Sequence, residues 1–147
     1  MINKYFLFST LLMLIFLSCS NKLANETNSF KHYLSDKFHE KIPDAEHTYL
    51  LIATFRCSGC VENALQKISD KIRIDPNSNI TILSYDVSLI PDTLKAKVKV
   101  LLDTETMYEN IGIPIANIAL IKTSNGKIDK IEMINLDNAD EIINEEF

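Results

Sequence analysis

Residues 48–72, TYLLIATFRCSGCVENALQKISDKI, change character half-way along. Thr48, Tyr49, Ile52, Thr54 and Phe55 favour a pleated strand, being β-branched or aromatic. The run from Leu50 to Phe55 is too continuously apolar for a sheet with one wet face, so it is expected as a central strand covered on both sides. After Cys60, Val61, Ala64, Leu65, Ile68 and Ile72 recur at steps of three and four, the stripe of a half-buried helix. Glu62, Gln66, Lys67, Asp70 and Lys71 take its other face. Cys57-Ser58-Gly59-Cys60 stands at the junction, on the N-terminus of the predicted helix.

That position has a chemical consequence. The unpaired N–H groups of a first helical turn, together with the macrodipole, favour an anion. A thiolate is one, and a cysteine whose pKa is ordinarily about 8.5 falls to roughly 3.5–7.5 in such settings. Arg56, next in the chain, adds a positive charge nearby if its side chain turns the same way. Cys57 is therefore expected as the exposed nucleophile, and Cys60, one turn deeper, as the resolving thiol.

Beyond this helix, Asp75 to Asn79 reads as a turn and Ile80, Ile82, Leu83, Tyr85 and Val87 as a second strand, parallel to the first by a helical crossover. Pro91 to Leu102 reads as a short helix and then a strand through Val98, Val100 and Leu102. Asp103 to Asn110 reads as a short helix turning Met107 and Tyr108 inward. Pro114 cannot sit in a central ladder, so a strand is expected just after it, over Ala116 to Ile121. Asn125-Gly126 is a hairpin signal joining that strand to Ile128–Ile134. A final helix capped by Asp137 or Asn138 buries Ala139, Ile142, Ile143 and Phe147.

Two motifs give the chain its resemblance to the thioredoxin superfamily, and in particular to the membrane-tethered thiol-disulfide oxidoreductases of bacterial envelopes. One is the strand-CxxC-helix unit. The other is YENIGIPIANIALIKTSNGKI, residues 108–128, which resembles the family's cis-proline loop and terminal hairpin. Over residues 48–147 the resemblance implies an α/β fold with a central mixed sheet flanked by helices. It also implies a cis Ile113-Pro114 bond facing the dithiol, with Ile113 and Pro114 lining the substrate groove, and Tyr108 and Gly112 at positions the family often fills alike. The segment between the CxxC helix and Pro114 is longer than a minimal thioredoxin needs, as in the envelope-tethered relatives. Departures are equally visible: the chain has no tryptophan, and Leu51 stands where many thioredoxins place a buried acid.

Residues 1–18 read as an export signal, with Lys4 ahead of an apolar run from Tyr5 to Leu17. The run is short of the roughly 20 apolar residues a membrane-spanning helix needs. Phe16-Leu17-Ser18-Cys19 resembles a bacterial lipobox with phenylalanine at its first position, which makes Cys19 the residue to carry a lipid. A plain secretory signal with an incidental cysteine, or an uncleaved anchor, are the alternatives. Setting Cys19 aside leaves two cysteines in a chain working outside the cytoplasm, where disulfides persist. Residues 19–29 are polar and read as a flexible tether, and 30–147 as one domain, opening with a helix from Phe30 to Ile42 that Pro43 stops.

The net charge of −5, without a basic cluster, argues against nucleic acid as a partner. The expected partners are protein thiols and disulfides, and a membrane reached through the anchor at Cys19, with the domain facing the periplasm or exterior. No cofactor is expected. His32, His39 and His47 lack the converging ligands of a metal site, and one CxxC supplies half of a zinc site. Val61 stands where covalent haem attachment requires histidine. As a structural staple the CxxC is weak, since closing a four-residue loop stabilises by about 2 kcal/mol against about 4.7 for a hundred-residue loop. The reading that remains is a thiol-disulfide oxidoreductase, with a non-catalytic thioredoxin-like binding module and a Cu(I)-handling dithiol as alternatives.

Overall fold

The structure is a computed structural model and describes residues 23–53, 58–74 and 79–147. Cys19, Arg56, Cys57 and all but Asn79 of the turn expected at Asp75 to Asn79 lie outside the described residues. Helix α1 covers residues 23–38. It is followed by β1 (His47–Ile52), α2 (Ser58–Ile74), β2 (Ile80–Ser84), α3 (Asp92–Lys95), β3 (Lys99–Leu102), β4 (Ile118–Ser124), β5 (Lys127–Ile134) and α4 (Ala139–Glu146). Single 3-10 turns occupy Val87–Leu89 and Met107–Asn110.

The five strands form one mixed sheet in the order β3-β2-β1-β4-β5. β1, β2 and β3 run parallel, while β4 is antiparallel to β1 and β5 to β4. The quoted run thus becomes the central strand, and Tyr49, Leu50, Leu51, Ile52 and Ala53 are all buried. Successive residues serve opposite faces, as the pleat requires. Leu50 and Ile52 pack with Val61, Leu65 and Ile68 of α2 and Ile142 and Ile143 of α4, while Tyr49 and Leu51 pack with Phe30, Tyr33 and Leu34 of α1. Burying each such side chain contributes about 1.5–3 kcal/mol before entropy is counted.

The hairpin forms as its turn residues dictate, with Asn125 at φ +50° and Gly126 at φ +67°. The final helix also buries Ala139, Ile142 and Ile143. Three expectations shift. Residues 23–29, expected within the tether, are helical, with Thr27 buried and its hydroxyl accepting a bond from Ile128 N at 3.1 Å. Polar residues here cover the start of β5, which is why polarity alone misreads them. At its other end α1 stops four residues before Ile42, where His39 turns left-handed at φ +56°. Met107, expected to point inward beside Tyr108, is 46% exposed because a tight 3-10 turn directs only Tyr108 into the core.

Candidate functional site

The first turn of α2, which begins six positions after the last residue of the central strand, carries no acidic residue of its own, while Lys71 and Arg73 complement the opposite end. Cys60 lies in this turn, 6% exposed, and is disulfide-bonded. The chain's other cysteines are Cys19 and Cys57, both outside the described residues. Gly59 is exposed and opens onto a groove of about 770 Å³ between α2 and the segment from Ser88 to Lys95. That groove wall comes from the extra chain noted above, and nothing in its residue types announces it.

The strand exit is fixed by two hydrogen bonds. Ala53 N donates to Asn117 O at 2.9 Å, which pins the end of the loop that carries Ile113 and Pro114. Tyr108 donates its hydroxyl to Ile52 O at 2.6 Å. Pro114 is exposed. Ile113 is buried among Phe30, Tyr33 and Tyr108, so its side chain belongs to the core and only its backbone remains for contact with a substrate. The cis bond implied by the resemblance is not found: no described peptide bond is cis, that between Ile113 and Pro114 included. Gly112, at φ +80°, makes the reversal ahead of β4, and a trans proline then follows without hindrance.

Asp103, fully buried, holds this corner together. Its Oδ2 accepts from the Tyr33 hydroxyl at 3.1 Å and Tyr108 N at 3.3 Å, and its Oδ1 accepts from Glu105 N at 3.2 Å. Lys37, one helical turn after Tyr33 on α1, stands 3.5 Å from Oδ1 and also pairs with Glu105. Burial, reinforced by the Asp103 charge, pushes the Tyr33 phenol far above its ordinary range, so it stays a donor at every physiological pH. Burial likewise raises Tyr108. Thr106 is held at φ +56°, an unfavourable conformation for a β-branched residue, with its N–H on Asp103 O. The sequence carries little trace of this network, because Asp103 looks like an ordinary turn residue and Tyr33, its partner on α1, lies 70 positions away.

The histidines are dispersed. His32 and His39 are exposed, and His47 bonds Thr81 Oγ1 through Nε2 at 2.9 Å. No group of three or more His, Cys, Asp or Glu among the described residues is arranged to hold a metal. No helix among them is long and apolar enough to cross a membrane. Comparison with protein-family models, curated proteins and solved structures finds no match for this chain.

Proposed function

We propose that this chain is a thioredoxin-like thiol-disulfide oxidoreductase of the bacterial cell envelope, acting through Cys57 and Cys60 and tethered by a lipid on Cys19. The observation that carries the reading is Cys60, disulfide-bonded and nearly buried in the first turn of the helix that leaves a central strand. The mixed five-stranded sheet with helices on both faces supports it.

In the reducing direction the Cys57 thiolate attacks one sulfur of a client disulfide. The client S–S bond breaks, a mixed disulfide forms, and the departing client sulfur leaves as a thiolate that takes up a proton. Cys60 then gives up its proton and attacks Cys57 Sγ, which releases the second client thiol and leaves the enzyme oxidised by the two electrons the client has gained. The reverse sequence oxidises a client dithiol. A first helical turn without acidic residues favours the Cys57 thiolate, and the exposed Pro114 with the backbone of Ile113 offers an edge to the client chain. With Leu51 buried where an acid would stand, proton transfer to and from Cys60 falls to water or to the client.

The test is insulin reduction together with iodoacetamide alkylation against pH, for the wild type and Cys57→Ser. Turnover that disappears in Cys57→Ser, with a Cys57 pKa in the range of about 3.5–7.5, is the expected result. An ordinary thiol titration near pH 8.5 without turnover refutes the assignment. The trans Ile113-Pro114 bond and the buried Ile113 side chain favour a second reading, a binding module whose dithiol does not exchange with clients. That module would show slow alkylation, no turnover and a couple that cellular reductants leave oxidised.

A further inference from the structure

The two ends of the sheet differ in kind. At one end α2 begins, and β1, β2 and β3 finish. All of the strongly exposed large apolar residues among those described cluster here: Val87, Leu102 and Met107 toward the β3 side, Met133 and Leu136 toward the β5 side. At the other end α2 and α4 finish, and a pocket of about 510 Å³ opens among Lys71, Lys122, Lys130, Glu46 and Glu146. Charged groups, many of them paired, populate that end: Glu146 bonds both Lys122 and Lys130.

Helix α1 joins these ends diagonally. Near its C-terminus, Tyr33 and Lys37 contact Asp103, whose N–H bonds the last residue of β2, Ser84. Near its N-terminus, Thr27 bonds Ile128 at the start of β5, on the charged end. The chain therefore enters the folded body at the charged end. Only residues 20–22 separate Cys19 from the first described helical residue, Leu23. At full extension the four steps from Cys19 to Leu23 span at most about 15 Å. The 17 residues of α2, which run from the dithiol end to the charged end, are about 25 Å long.

We infer that, in the membrane-tethered protein, the charged end of the sheet rests against the lipid headgroups and the dithiol end faces away, so that its clients are soluble proteins or extramembrane domains. The inference rests on the reading of Cys19 as the lipid-bearing residue. The argument is one of reach: the charged end, where Thr27 meets Ile128, stands about 25 Å from the dithiol end, and Leu23 lies one helical turn, about 6 Å, before Thr27. With the dithiol end on the bilayer, Leu23 would stand about 19 Å or more above it, on a tether of at most about 15 Å. Surface character agrees, since the charged end suits hydrated headgroups, whereas the apolar rim beside the dithiol suits a polypeptide arriving from water.

Because the chain has no tryptophan, single reporters are free of background. Arg73→Trp and Lys127→Trp, both exposed at the charged end, are compared with Leu136→Trp, 68% exposed at the dithiol end. The full chain is produced in a bacterial envelope, purified with its attached lipid and placed in phosphatidylethanolamine and phosphatidylglycerol vesicles containing a headgroup nitroxide lipid. Several-fold stronger quenching of Arg73→Trp and Lys127→Trp than of Leu136→Trp is expected. Equal or reversed quenching in vesicle-bound protein overturns the orientation and leaves the anchor reading standing. If mass spectrometry finds no lipid on Cys19 and the chain stays off the vesicles, the anchor reading fails and the orientation with it.

Discussion

The corner built on Asp103 gives the most quantitative test of the structure. Replacement by alanine removes the acceptor for the Tyr33 hydroxyl and for the N–H groups of Tyr108 and Glu105. A buried donor left unpaired costs about 1–3 kcal/mol. The Tyr33 hydroxyl and Tyr108 N carry most of this cost, because Glu105 N is only part-buried. Lys37 adds little, since its side chain is 23% exposed and keeps Glu105 as a partner. The expected loss for Asp103→Ala is therefore about 3–5 kcal/mol, a large share of the 5–15 kcal/mol that typically holds a domain. Asp103→Asn keeps one acceptor oxygen and should lose about 2–3 kcal/mol. Urea unfolding followed by far-ultraviolet circular dichroism measures both on the chain without its first 19 residues. A double-mutant cycle isolates the contact: Tyr33→Phe should cost about 1–2 kcal/mol in the wild type and nearly nothing in the Asp103→Ala background. The reasoning is refuted if Asp103→Ala loses less than about 1 kcal/mol, or if Tyr33→Phe costs the same in both backgrounds.

Two further outcomes follow from single positions. Gly126→Ala should destabilise by about 1–2 kcal/mol in the same unfolding assay, since an added Cβ meets only ordinary contacts, the nearest Asp44 Oδ1 at 3.6 Å, and the cost comes from φ +67°. His47 has its pKa lowered, first by burial and then by the charge of Lys99, so the unfolded chain takes up a proton more readily than the folded one. Stability from this group is complete above its unfolded pKa of about 6.5 and is lost as pH falls through the lower folded value. Urea midpoints measured from pH 7.5 down to 5 should fall more steeply for the wild type than for His47→Gln.

The centre of the fold could be read from sequence because its signals are local. A continuous apolar run, a stripe at helical spacing and Asn-Gly between two β-rich segments each specify an element within a dozen residues. The start of α1 escaped because its inward stripe, partly buried Leu23 with buried Thr27, Phe30 and Leu34, includes a threonine whose hydroxyl is satisfied by Ile128, about 100 positions away. Ile113 misled for a related reason. Its neighbour Pro114 marks an exposed turn, yet Phe30 and Tyr33 of a distant helix enclose Ile113 itself. The place of Cys60 in the first turn of α2 was legible from the apolar stripe that follows it, whereas the Asp103 corner and the groove wall at Ser88–Lys95 depend on how remote segments meet.

The pairing of β1 with β4 bears on how the chain is made. Ile52 meets Ile118 across 66 positions, so a nascent chain that stops short of β4 leaves one edge of its most apolar strand open. β4 and β5 can close locally through their tight turn and then dock as a finished hairpin, which protects that edge in one late step. Until then the half-built sheet is a template for pairing with another chain, an exposure that docking of the finished hairpin ends.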